Sequence, residues 1–192
     1  FPLQVQPETV IDVTSPLFSN QIETARQLAM SLPGDYTLVV KDHPQMLGLR
    51  TDSYITKLSR TVNVKLIDYR TPVNIIFKKM DLLISPGGTS VAEAAFFNKP
   101  AIQLGNLGTT SNMPNFLKHS DMSTISKVIK EMLLKKLDTD DYEKKLENYV
   151  SAVYDTGTDV NYINIWEGRD TSNMDDLWKA YKIEIERILK NK

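Results

Sequence analysis

Cysteine is missing from this chain of 192 residues. Its absence excludes disulfides, thiol nucleophiles and thiolate metal sites, and it fits a reducing compartment. Histidine is scarce too, with only His43 and His119. A metal site would have to rest on carboxylates, and no His-x-x-x-His pattern occurs, so no metal is expected. Net charge is close to zero, formally −1 at pH 7. Nothing therefore favours wholesale binding to nucleic acid or to an anionic membrane surface. No apolar run approaches the length of a membrane span. The opening "FPLQVQPETV" lacks the basic start of a signal peptide. It also lacks Met and begins directly on a strand pattern, so the chain is read as part of a longer protein. Two signatures of chemistry are missing as well. No Gly-x-Ser-x-Gly elbow appears, which disfavours a serine hydrolase, and no Gly-x-Gly-x-x-Gly follows the first strand pattern, so a dinucleotide site is not supported.

What remains is an alternation. "PLQVQ" (Pro2–Gln6) reads as a strand. A helix follows from about Asn20, with Ile22, Ala25, Leu28, Ala29 and Leu32 on one face and Asn20 and Glu23 at capping-box spacing. Pro33-Gly34 stops it. "YTLVV" (Tyr36–Val40) is a continuous apolar run of the kind buried on both faces of a sheet. The segment Lys41–Arg50 is punctuated by Pro44 and Gly48 and reads as a loop. A short helix over Asp52–Ser59, a strand over Val62–Ile67, and a helix opened by Thr71-Pro72 come next. "DLLI" (Asp81–Ile84) predicts a strand, Thr89–Phe97 a helix and "AIQLG" (Ala101–Gly105) a further strand. Such spacing indicates crossovers and a parallel sheet.

After Gly105 the pattern changes. A polar loop leads to helices expected over Met122–Lys136, Asp140–Val153 and Met174–Lys190. The stretch Asp155–Asn173 reads as a linker or surface loop. The fold class expected is α/β, a parallel sheet sandwiched by helices with a helical C-terminal tail. Residues 1–155 would form the main domain, and 156–192 a loop and helix packing on that same domain. The apolar stripe Met174, Leu177, Trp178, Tyr181, Ile185, Ile188 and Leu189 reads as core-facing rather than as a partner site.

In an open parallel sheet, ligands bind beyond the C-terminal ends of the strands. The strand ends here carry Gln6-Pro7-Glu8, then Lys41-Asp42-His43-Pro44, then Asp68-Tyr69-Arg70, then Ser85-Pro86-Gly87-Gly88-Thr89-Ser90, then Gly105-Asn106. Plain turns would connect the elements, so this concentration of polar groups points to a site. Two readings of "SPGGTS" stand side by side. Gly87 and Gly88 let the backbone approach an anion closely, and Thr89 and Ser90 add hydroxyl donors at a helix start. Equally, Ser90-x-x-Glu93 has capping-box spacing and glycine pairs are common in turns. His43 can donate to a phosphate and Lys41 can supply a point charge, while a packed histidine and a solvated strand end are the ordinary alternatives. His119 has no partners nearby in sequence.

Read in order, "PLQVQPE", "LVVKDHPQMLGLR", "NVKLIDYRTPV" and "LLISPGGTSVAEAAFFNKPAIQLG" resemble the donor-binding half of bacterial capsule polysaccharide biosynthesis glycosyltransferases. That group includes transferases adding Kdo from a CMP-linked donor. The His43-Pro44 pair is also similar to the His-Pro motif of bacterial sialyltransferases, which use CMP-sialic acid. The resemblance covers about Pro2 to Gly105. It implies one Rossmann-like half of a GT-B fold, with the catalytic group and the glycan or glycolipid acceptor site on an N-terminal Rossmann-like domain of the same protein. It implies cytoplasmic work at the inner face of a membrane, touched only peripherally, with a nucleotide-sugar as substrate and no cofactor.

By the resemblance, His43 and Pro44 contact the nucleotide phosphate region, and the loop Ser85, Gly87, Gly88, Thr89 and Ser90 holds phosphate. Glu93 matches a ribose-binding position, in competition with its capping role. Glu8 stands at the same sheet edge. The carboxylate of an acid sugar would need a cation, and Arg50 and Lys41 are the nearest in sequence, arginine's planar fork suiting a carboxylate better. The pattern departs from the family at Val91, where a small residue is usual. Other readings are a UDP-sugar 2-epimerase-like domain and a non-catalytic nucleotide-binding scaffold that recruits a partner through its last helix.

Overall fold

The computed structural model describes residues 1–106, 112–168 and 174–190. The chain forms two compact units, Phe1–Leu146 and Glu147–Lys192. In the first unit α1 (Thr9–Asp12) and α2 (Gln21–Ser31) precede β1 (Leu38–Lys41), α3 (Asp52–Ser59), β2 (Val64–Ile67), α4 (Val73–Lys79) and β3 (Leu83–Ser85). Then come α5 (Ser90–Ala95), β4 (Ala101–Gln103), β5 (Phe116–Lys118), α6 (Ile125–Leu133) and α7 (Asp140–Thr156). The division between units falls inside α7, whereas the composition of the sequence marks a boundary at position 155. The second unit continues with α8 (Tyr162–Trp166) and α9 (Met174–Lys190).

The architecture is mixed α/β with short parallel sheets flanked by helices and a C-terminal helix. β1 pairs with β2 in parallel, Leu38 opposite Val64 and Lys41 opposite Ile67. β3, β4 and β5 form a second parallel sheet in that order. The N-terminal segment lies beside β1. Leu3 N donates to Lys41 O at 2.9 Å, Lys41 N to Phe1 O at 3.2 Å and Phe1 N to Val39 O at 2.8 Å. Only Pro2 counts as paired in this segment, although the alternation in the sequence predicts a strand to Gln6. The reason is local. Gln21 Oε1 accepts from Gln4 N at 2.6 Å, while Gln21 Nε2 and Arg50 Nη2 donate to Gln4 O. Side chains thus satisfy the backbone groups that a neighbouring strand would otherwise take.

Two apolar clusters flank the strands. On one side Leu38, Val40 and Val64 pack with Leu28 of α2, Leu58 of α3 and Ile129 of α6. On the other, Phe77 of α4 and Val91 and Ala94 of α5 pack on Leu83 and Ala101. The alternation of β1 follows from this: Leu38 and Val40 are buried, while Val39 is 38% exposed on the opposite face. The apolar runs of β3 and β4 are buried throughout, as strands covered on both faces should be.

Several caps follow the sequence rules. Asn20 accepts from Glu23 N, and Thr51 accepts from Tyr54 N. β5 departs from expectation, since the segment after Gly105 reads as a polar loop. Phe116 is partly buried, while Leu117 and Lys118 are exposed, so "NFLK" lacks the apolar run that marks the inner strands. Residues 107–111 of that loop, and 169–173 of the expected linker, lie outside the described residues; α8 occupies part of the same linker. In the second unit no residue of α9 is buried. Among the described residues no helix is long and apolar enough to cross a membrane.

Candidate functional site

The segments that end the N-terminal strand, β1, β2 and β3 line one open cavity of about 810 Å³. From the first come Gln4, Val5 and Glu8. From the end of β1 come Lys41, Asp42, His43 and Pro44. From the end of β2 come Tyr69, Arg70 and Thr71, with Pro72 and Val73 opening α4. The loop after β3 contributes Gly87, Gly88, Thr89 and Ser90, and Glu93 follows one turn into α5. Most of the residues named from the sequence thus meet at one place. Arg50 and Ser85 do not line it.

Arg50 is displaced from its expected role by its partners. Its side chain is 5% exposed and pairs with Asp42 at 2.8 Å. Nη2 donates to Gln4 O at 2.7 Å, and the guanidinium lies over the Tyr54 ring, 4.7 Å from its centre. The group is spent holding the N-terminal segment, the loop after β1 and α3 together. Asp42 Oδ1 in turn accepts from His43 N at 2.8 Å, so the ion pair fixes where the His-Pro turn begins. Tyr54 OH is buried without a partner among the described residues, and burial, the largest influence on it, raises its pKa.

Ser85 lies behind the glycine loop. It is fully buried, donates to Gly87 O at 2.6 Å and accepts from Gly87 N at 3.3 Å. It shapes the turn rather than facing the cavity. Gly88 has φ +89, a conformation that side chains with a Cβ rarely adopt. The N–H groups of Gly88 and Thr89 have no acceptor among the described residues. The capping box read over Ser90 and Glu93 is not formed. Thr89 precedes the helix, and its hydroxyl donates to Glu93 Oε1 at 2.6 Å. Glu93 Oε2 keeps its accepting capacity, and Ser90 makes no side-chain hydrogen bond among the described residues.

His43 precedes a single helical turn, Pro44–Met46, and its Nδ1 accepts from Gln45 N at 3.2 Å. A neutral ring that accepts through Nδ1 carries its proton on Nε2 and can donate there. Lys41 Nζ reaches only the carbonyl of Asp42, at 3.4 Å. It lowers the pKa of Asp68 as a minor influence but makes no carboxylate contact at ion-pair distance among the described residues. Arg70, by contrast, is paired with Asp68 at 2.6 Å and leans on the Tyr69 ring, 5.7 Å away. That hydrogen-bonded pairing pulls the Asp68 carboxyl down to about 2. Tyr69 and Arg70 line the cavity, as their place among the strand ends that point to a site leads one to expect, although neither was singled out with a ligand role. Gln4 gave no sequence signal at all; its Nε2 lies 3.4 Å from Ser85 Oγ.

The arrangement offers anion chemistry: one uncommitted ammonium, an imidazole N–H donor, free backbone N–H groups and hydroxyls. Acidic Glu8 and Glu93 stand at the wall, suited to accept from hydroxyl groups of a ligand. His119 is elsewhere, bonded through Nε2 to Asp121 O and Thr124 Oγ1 at 2.9 Å each. Among the described residues no cluster of His, Asp and Glu could hold a metal ion. Compared with protein-family models and with curated proteins, the sequence matches none.

Proposed function

We propose that the first unit is the donor nucleotide-sugar-binding domain of a glycosyltransferase of capsule or surface polysaccharide synthesis, using a CMP-activated sugar. The observation that carries this reading is the convergence of polar groups from four strand ends on one cavity, among them a lysine with no carboxylate at ion-pair distance among the described residues. The order of strands supports a Rossmann-like sheet. β2 and β1 pair, the N-terminal segment follows β1, and Gln4 contacts Ser85 of the β3-β4-β5 set. Counting the N-terminal segment first, and taking the two sheets as continuous through it, the order would be 3-2-1-4-5-6, the doubly wound arrangement that binds nucleotides at its switch point.

In this reading the nucleotide phosphate lies between Lys41, His43 Nε2 and the N–H groups of Gly88 and Thr89. Glu93 Oε2 accepts from the ribose. As the glycosidic bond breaks, the negative charge that builds on the leaving phosphate is stabilised by these fixed donors. An N-terminal domain of the same protein would bring the acceptor and the catalytic carboxylate, and closure would exclude water from the donor. Titration of the full chain with CMP, UDP and GDP by calorimetry tests the reading. Binding of CMP, weakened by Lys41→Ala and His43→Ala, supports it. A folded chain that binds none of the three overturns it, and preference for UDP would favour the epimerase-like alternative.

A further inference from the structure

Beside the polar cavity runs a second, narrower cleft of about 200 Å³, between α4 and the exposed face of β1 and β2. Its walls are largely apolar, with Val39, Ile67, Ile76 and Met80 contributing, and Lys79 and Asp81 also line it. The two spaces share Pro2, Lys41, Val73 and Ser90 as a common wall. Lys41 is also the cation of that wall, and it has no carboxylate at ion-pair distance among the described residues. We propose that the cleft binds the tail of an anionic amphiphile, a single unbranched alkyl chain whose phosphate sits against Lys41 and Ser90. It deepens the reading above at its anion end, because such a ligand competes with the nucleotide for Lys41.

Charge and shape argue for this occupant together. A charged ligand alone leaves apolar walls wet, and an uncharged apolar one leaves an ammonium at the mouth without an anion. The volume holds about seven water-sized groups, so a chain of similar carbon count fills it. Within that length each methylene should tighten binding about fourfold, and beyond it the gain should stop.

The test measures binding of inorganic, ethyl, butyl, octyl and dodecyl phosphate to the full chain by calorimetry, below their micellar concentrations. The expected result is a steep gain from ethyl to octyl, little more at dodecyl, and competition between octyl phosphate and CMP. Val39→Asn and Ile76→Asn, checked for folding by circular dichroism, should flatten the chain-length series while leaving inorganic phosphate binding as it was. Lys41→Ala should weaken octyl phosphate about tenfold. Equal affinity for ethyl and octyl phosphate in the unaltered chain overturns the proposal, whatever the variants do. So does a chain-length series that survives both apolar-to-polar variants. If octyl phosphate binds in this way and no nucleotide does, the nucleotide reading falls and the cleft stands; the reverse result separates the two the other way.

Discussion

Arg50 provides the sharpest test of how this fold is held. In Arg50→Met the stem keeps its length and the charge is lost. The substitution removes the ion pair to Asp42 and the hydrogen bond to Gln4 O, and takes the cation from the Tyr54 ring. A hydrogen bond to a charged group is worth about 1.5–3 kcal/mol, and the stacking adds about 0.5–1 kcal/mol. Removing one partner of a buried pair costs about 3–5 kcal/mol, because the other charge is left behind. Asp42 is still 21% exposed, so water relieves part of its loss and the lower end, about 3 kcal/mol, applies. With a urea slope of about 2 kcal/mol/M, the midpoint should fall by about 1.5 M. The transition is followed through amide signals of residues in Phe1–Leu146. Arg50→Met combined with Asp42→Asn should cost clearly less than the sum of the two single changes, since each single change strands a charge. A loss under about 1 kcal/mol refutes the reasoning. So does an unchanged midpoint with abolished nucleotide binding, which would return Arg50 to the role of ligand cation.

Three further outcomes follow from single contacts. At Gly105 an added Cβ would lie 1.8 Å from Ser15 Oγ and 2.5 Å from Pro86 O; Gly105→Ala should cost at least about 3 kcal/mol by denaturation, and Ser15→Gly should restore only part, because the carbonyl remains. Gly88→Ala should cost about 1–2 kcal/mol for its left-handed backbone and should weaken phosphate binding in calorimetry, since the new methyl also crowds Gln4 Oε1 at 3.3 Å. Tyr142 donates to Ala95 O at 2.7 Å, and burial pushes its phenol up to about 12. The unfolded phenol titrates near 10, so its contribution is complete below pH 10 and is lost as pH rises through 12, about 3 kcal/mol in all. Tyr142→Phe should be about 1 kcal/mol less stable at neutral pH and should show a shallower loss of stability across that alkaline window.

The inner strands were legible because their side chains leave no choice. "LVV", "LLI" and "AIQ" are short, largely apolar runs bounded by turn residues, too short for helices; β3 and β4 are covered on both faces as expected, whereas "LVV" is buried on one face and leaves Val39 exposed on the other. The end of the N-terminal strand was not legible. Its pairing depends on Gln21 and Arg50 reaching Gln4, contacts 17 and 46 residues away that no local pattern encodes. β5 escaped for the opposite reason: it is an edge strand, half wet, and its composition is that of a loop. The same division runs through the site. The loops of the cavity could be named because parallel strands deliver their ends to one edge, and that geometry follows from alternation alone. Which side chains turn into the cavity could not be named. Arg50 was near in sequence and chemically apt, yet a carboxylate already stood within reach of it.

The glycine loop shows how a local rule can find the right segment for the wrong bond. Capping-box spacing paired Ser90 with Glu93, and a helix does begin at Ser90. The partner of Glu93 is nevertheless Thr89, side chain to side chain. Two constraints move the bond. Ser85, buried beneath the loop, holds Gly87 through both its N–H and its carbonyl, which fixes the turn from below. Gly105 N then donates to Pro86 O at 2.8 Å, and Ser15 Oγ to the same oxygen at 3.1 Å, so the loop is clamped from β4 and from the segment before α2. With Pro86 and Gly87 held, Gly88 absorbs the reversal at positive φ, and Thr89 enters the helix already in α-like geometry. A residue in that conformation does not aim its hydroxyl at the N–H groups ahead of it, as an extended cap would. The N–H groups of Gly88 and Thr89 have no acceptor among the described residues, and both residues line the cavity. The cap that the sequence promised is withheld from the protein's own side chains, which is the condition under which a bound anion would supply it.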